Sequence, residues 1–285
     1  MFKINKYKFL FYLIFTLNFL TCFLLFLNRN EIIPLYKRIT RLYISYKQGT
    51  IYDFENKNLN NELTETKGQT LSIKGLINKN PSFKNKVKIT FIGNSIALSM
   101  PNKEKSWNNM WGMAATKKDN AYPQLISKKI AENLNYKVSY SVYNLASIAQ
   151  KRKFPNSLID EINLNRPDVL IIQLGDNVSR KNLNIFSKDL EFFLSKLPNT
   201  QCSILTTPFY PDELKNNIFV EISSKLGFYL VDLSNLISSS DNPSKLLAES
   251  EKFYFNPGVR AHPGDYGMLK IAMQIYPTVK SCLSE

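Results

Sequence analysis

Histidine occurs once in these 285 residues, as His262, and cysteine occurs three times. That scarcity narrows the possible chemistry. Histidine is the side chain whose unperturbed pKa suits general-base work at neutral pH, so any nucleophile activated by histidine in this chain must use His262. Dense Lys/Arg blocks with interleaved aromatics are missing too. The basic residues (37 Lys plus Arg against 23 Asp plus Glu, net charge +14) are scattered among asparagines along the whole length. A charge of that size attracts anionic polymers and headgroups, but no nucleic-acid signature is visible and no nucleic-acid partner is expected. Internal repeats are absent as well, and neither a metal nor a cofactor is expected. Cysteine leaves two readings open: Cys22 lies in an apolar run, while Cys202 and Cys282 either pair in an oxidising compartment or stay as buried thiols.

What is present begins at residues 9–27, FLFYLIFTLNFLTCFLLFL, a run without a charge. As a helix rising about 1.5 Å per residue it spans about 30 Å, the thickness of a bilayer core. A cleaved signal peptide has a shorter apolar region, roughly 7–15 residues, and ends in small residues; Leu27-Asn28-Arg29-Asn30 offers no such site. The sequence therefore predicts an uncleaved transmembrane anchor with a short basic head over residues 1–30. Lys3, Lys6 and Lys8 precede the span and Arg29, Lys37, Arg38 and Arg41 follow it, so the charge count alone does not orient it. Anchors of this form most often keep the basic head in the cytoplasm, which places the rest of the chain on the outer side of the cell membrane. Residues 31–84 read as a polar juxtamembrane connector, whose stretch 55–68 has too few apolar residues to bury.

Over residues 85–285 the pattern becomes an alternation. Short runs rich in Val, Ile, Leu and aromatics occur at 87–92, 138–145, 169–174, 202–206 and 229–233, as buried parallel strands require. Helical patterns fall between and after them, at 122–133, 156–164, 183–197, 212–226 and 266–276. Leu183, Phe186, Leu190, Phe193, Leu194 and Leu197 form the stripe of a helix docked on a sheet. Strands alternating with helices predict a doubly wound α/β sandwich, whose site lies beyond the carboxyl ends of its strands. Gly93-Asn94-Ser95 follows the first predicted strand, residues 144–149 the second and Gly175-Asp176-Asn177 the third; His262-Pro263-Gly264-Asp265 lies in the loop before the last helix.

Acyl transfer through serine needs a nucleophile, a base in hydrogen-bond reach and donors aimed at the developing oxyanion. Ser95, on a tight strand-to-helix turn, is the candidate nucleophile and His262 the base. Asn177 is a candidate oxyanion donor, with the Ser95 N–H and a backbone N–H near Ala149 as further donors. Each motif has a bland counterpart, since Gly-Asn-Ser and Gly-Asp-Asn are also ordinary turn sequences.

Taken in order, these segments resemble the SGNH (GDSL-like) hydrolase superfamily over residues 87–276. The strand and Gly-Asp-Ser block appears as Ile92-Gly93-Asn94-Ser95, Gly-x-Asn-Asp as Gly175-Asp176-Asn177-Val178, and Asp-x-x-His-Pro as Val259-Arg260-Ala261-His262-Pro263. The resemblance implies a flavodoxin-like three-layer α/β/α sandwich with a parallel sheet, with Ser95 as nucleophile, His262 as base and Asn177 in the oxyanion hole. Three departures stand out. Val259 replaces the acid that orients the histidine, so His262 is expected to lean on a backbone carbonyl of residues 255–261 or on Asp265, whose other role is to cap the last helix. The glycine of the second block is missing. An insertion at 99–121 carries both tryptophans, Trp107 and Trp111, as either a sugar-stacking platform or a local core.

The resulting expectation is a membrane-anchored serine esterase or O-acyltransferase acting on O-acyl, chiefly O-acetyl, esters of an envelope glycan or similar surface substrate. A phospholipid is a second substrate option, and a catalytically inactive binding or assembly module is the reading from another class.

Overall fold

A computed structural model of the chain describes residues 71–77, 85–151, 154–248 and 254–284. The predicted anchor and nearly all of the predicted connector lie outside them; among the described residues no helix is long and apolar enough to cross a membrane.

Strand β4 (Val169–Gln173) is buried along its whole length, and the reason is that both of its faces are covered. Val169 and Ile171 join a core with Phe91 and Ile204, roofed by helices α1 (Tyr122–Asn133) and α8 (Asp265–Ser284). Leu170 and Ile172 join a second core with Ile92 and Leu205, roofed by α3 (Asn156–Asn165), α4 (Leu183–Ser195) and α5 (Glu213–Leu226). An uninterrupted apolar strand is what this three-layer burial demands. Around β4 lie β2 (Asn85–Gly93), β3 (Tyr136–Asn144), β5 (Cys202–Thr206) and β6 (Tyr229–Val231), all parallel. With the edge strand β1 (Leu71–Ile77) the order is β1-β3-β2-β4-β5-β6; without it, the order is that of flavodoxin-like sheets. Short helices α2 (Ala146–Lys151), α6 (Ser234–Ser238) and α7 (Pro257–Arg260) are the remaining α-helices among the described residues.

Two expectations need correcting here. The predicted connector contains β1, which pairs antiparallel with β3, so the sheet is not wholly parallel and the domain reaches back at least to residue 71. Ile73 and Ile77 pack on the core while Lys74 stays exposed, a charge that blunts the free edge. The last helix was expected to stop before Pro277, which removes one backbone donor. It continues to Ser284 with Val279 and Cys282 buried, and Cys282 is disulfide-bonded to Cys202 of β5 with Cα atoms 5.6 Å apart. Of the two cysteine readings, the disulfide is the one found.

Candidate active site

The central strand β2 ends at Gly93, where a side chain would bring a Cβ to 2.5 Å from that of Ala97; only glycine lets the turn fold back so tightly. Asn94 then makes one turn, its carbonyl accepting from Ala97 N–H (3.0 Å) and Leu98 N–H (3.1 Å) while its side-chain Oδ1 accepts from Ile96 N–H (2.8 Å). The turn does not propagate. The expected helix behind Ser95 is absent; the chain enters the 99–121 insertion, and the next α-helix is α1. Insertion and nucleophile are nonetheless locked together, since Met113 N–H donates to the Ser95 carbonyl (2.8 Å).

Ser95 is partly exposed, and its Oγ lies 2.8 Å from His262 Nε2. The base is presented by α7, a single turn capped by Asn256, whose Oδ1 accepts from Gly258 N–H (2.8 Å) and Val259 N–H (3.3 Å). Ala261 N–H bonds to the Pro257 carbonyl (3.0 Å) and His262 N–H to the Val259 carbonyl (2.9 Å). The Gly258 carbonyl is left as an end-of-helix orphan, and it takes the His262 ring through Nδ1 at 2.7 Å. Because a carbonyl only accepts, Nδ1 carries the proton and Nε2 is bare, facing the Ser95 hydroxyl. Burial of the ring drives its pKa down from the ordinary 6.5 to about 4; the Gly258 carbonyl opposes the shift and the charge of Lys105 adds to it.

The backbone-carbonyl expectation for His262 is therefore met by Gly258, and the Asp265 alternative is corrected. Asp265 accepts from Thr116 N–H (2.9 Å), Thr116 Oγ1 (2.6 Å) and Asn120 Nδ2 (2.6 Å), tying α8 to the insertion rather than to the imidazole. Val259 is buried in a cluster with Trp107, Met113, Ala114 and Ala248. Trp107 is fully buried and meets Trp111 edge-on at 6.1 Å, so it is local core and not a platform. Trp111 Nε1 and Tyr254 Oη both donate to the Ala115 carbonyl, and Asn256 Nδ2 donates to the Glu104 carbonyl; the insertion is thereby sewn to the loop that carries the base.

On the oxyanion side, the Ser95 N–H has no acceptor among the described residues. Asn177 lies partly exposed in the turn after β4, on the same rim, because Gly93 and Gln173 are register partners. Gly175 enters that turn at φ +98°, a conformation that favours glycine. Of the backbone N–H groups near Ala149, that of Ala149 itself is taken, bonding to the Leu145 carbonyl (2.8 Å) as α2 begins.

Sequence reasoning treated Asp176 only as part of a turn. Its Oδ2 accepts from Asn94 Nδ2 (2.7 Å) and Gln173 Nε2 (2.5 Å), and its Oδ1 from Phe209 N–H (2.8 Å) and Tyr210 N–H (3.2 Å). Lys215 Nζ holds the Asp176 backbone carbonyl at 3.1 Å. Desolvation raises the carboxyl's pKa, against the pull of Lys215 and of these donors.

A doubly wound α/β sheet thus carries on its carboxyl rim a serine paired with an anchored imidazole. The chain matches no family profile and no curated protein. Among solved structures it is similar to a lipase/acylhydrolase from Enterococcus faecalis (16% identical, 68% of this chain and 96% of that one, TM-score 0.46). It is also similar to an acetyl xylan esterase (17% identical, 68% and 100%, TM-score 0.43) and to a family two carbohydrate esterase from Cellvibrio japonicus (16% identical, 70% and 62%, TM-score 0.39).

Proposed function

We propose that the chain is a membrane-anchored serine esterase or O-acyltransferase that removes or transfers O-acyl groups, chiefly O-acetyl, on an envelope glycan or similar surface substrate. The observation that carries this reading is the Ser95 Oγ to His262 Nε2 contact of 2.8 Å, with the far side of the ring held by Gly258. Ser95 Oγ bonds to the ester carbonyl carbon while its proton passes to Nε2, and the Ser95 N–H and Asn177 Nδ2 receive the oxyanion. The imidazolium then returns its proton to the leaving alkoxide, the alcohol departs, and acyl-Ser95 remains. Water or a sugar hydroxyl, deprotonated by the same Nε2, attacks the acyl carbon and frees Ser95. Hydrolysis and transfer differ only in that acceptor.

The charge-free run at 9–27 supports the anchor, and the Cys202–Cys282 disulfide suits an oxidising outer compartment. A domain held at a membrane surface fits a tethered envelope ester better than a free metabolite. Two observations favour the second reading, an inactive binding or assembly module: among the described residues His262 Nδ1 is backed by a carbonyl rather than a carboxylate, and the Ala149 N–H is already taken. Fluorophosphonate labelling decides between them. The full chain should be labelled at Ser95 and should release acetate from an O-acetylated glycan; a native chain that resists the reagent at any pH sinks the esterase reading.

A further inference from the structure

Ser95 and His262 are 167 residues apart in sequence and stand on a strand end and a loop that share no sheet pairing. Something must set their separation, and the missing acid behind His262 makes the question sharper. Where the resembled family has Gly-Asp-Ser, this chain has Gly93-Asn94-Ser95. The carboxylate absent from position 94 is supplied from across the rim by Asp176, which accepts from Asn94 Nδ2 at 2.7 Å. Its second oxygen accepts from the main-chain N–H groups of Phe209 and Tyr210 (2.8 and 3.2 Å). Tyr210 in turn donates its hydroxyl to the Ala261 carbonyl, the peptide that leads directly into His262. Phe209, fully buried and edge-on to Tyr210 at 5.1 Å, stiffens that arm, and Lys215 pins the Asp176 main chain.

We propose that Asp176 is the positioning residue of the serine–histidine pair: one carboxylate holds the nucleophile turn through Asn94 and the base loop through Tyr210. The inference rests on the serine–histidine reading and deepens it. Asp176 touches no reacting atom. It does the orienting that the family's acid would do, but on the two loops rather than on the imidazole. The neighbouring Gln173 Oε1 is buried without a partner, so an inverted pair, with Asp at 94 and Asn at 176, could be accommodated by rotating the Gln173 amide.

That inversion is the test. Full-length native chain, Asp176→Asn, Asn94→Asp, the double exchange and Tyr210→Phe are compared in detergent. The readouts are the fluorophosphonate labelling rate per folded molecule and the ring 15N signals of His262, which are free of overlap because no other histidine exists. Asp176→Asn should slow labelling roughly 100-fold, as expected for misplacement of a reacting pair by about 1 Å, and should shift the ring signals. Asn94→Asp sets two carboxylates against each other and should be slowed similarly. The double exchange should recover to within about tenfold of native, and Tyr210→Phe, which leaves the carboxylate in place, should lose about tenfold. A loss that only lowered the folded fraction would leave the rate per folded molecule unchanged. Native-like labelling and ring signals in Asp176→Asn, or a double exchange no faster than the singles, overturn the proposal. If the carboxylate variants do not fold, Tyr210→Phe decides by whether the His262 signals move. A native chain that never labels defeats the esterase reading, while the ring signals still judge Asp176 on its own.

Discussion

At the scale of single residues, His262 is buried and leans on the Gly258 carbonyl. Burial drives its pKa down to about 4 against the pull of the Gly258 carbonyl, which fixes the tautomer but stabilises an imidazolium less than an ionised acid does. The neutral ring is the active form, so the rate of Ser95 acylation should rise with pH through about pH 4 and be level by pH 6. A limb centred near the ordinary value would mean that the ring is wetter than it is here. The same shift reaches stability. Unfolded chains bind the proton first as pH falls from about 6.5, so this contribution, on the order of 3 kcal/mol, is full above that pH and lost by about pH 4. Melting curves of native and His262→Gln chains between pH 7 and pH 4 would expose it as a steeper decline in the native chain. Ser95→Ala and His262→Ala should each abolish nearly all turnover without adding, since they act as a unit. Asn177→Ala should lose roughly 10²–10³-fold in kcat with its melting temperature kept. The pair itself was legible because one histidine and one motif order leave no other choice. Asp176 was not legible, because half of its partners are main-chain N–H groups of Phe209 and Tyr210, which carry no side-chain signature.

Among the elements, five parallel strands and the helices roofing them follow from apolar periodicity, because burial on both faces leaves a continuous run that is hard to mistake. What periodicity misreads are elements whose stability comes from elsewhere. β1 is a half-buried edge strand interrupted by Lys74 and Gly75, so it reads as connector until β3 is seen beside it. The last turns of α8 lie beyond a proline and are held by buried Val279 and the Cys202–Cys282 bond. The helix expected after Ser95 fails because Trp111, Gly112 and Met113 fold back on residues 95–99: Ser99 N–H donates to the Trp111 carbonyl (2.8 Å) as Met113 N–H does to that of Ser95. Position 259 shows the consequence for engineering. Placing an acid there looks from sequence like a way to complete a triad. In the folded chain the side chain is packed with Trp107, Met113 and Ala114. Val259→Asp should therefore lower both stability and activity, by about 3 kcal/mol or more in the folding equilibrium, since it buries an unpaired carboxylate. Urea titration would measure it, and a stable, faster Val259→Asp enzyme would refute this account of the loop.

For the whole molecule, the proposed anchor and the net charge of +14 would be two separate routes to a membrane. A charged surface lets go of anionic lipid as salt rises, whereas a spanning helix does not. The full chain should stay with membranes in molar salt and be released by detergent, and removing residues 1–30 should free it at moderate salt. Release of the intact chain by salt alone would count against the anchor. The Cys202–Cys282 bond, finally, joins positions 80 residues apart and makes a covalent ring that includes His262 but not Ser95. A protease cut between Cys202 and His262 leaves two polypeptides that remain one molecule, with Ser95 and His262 on pieces that cannot drift apart. Such a nicked chain should run as a single species until reductant is added, and only then lose His262 from the body that carries Ser95.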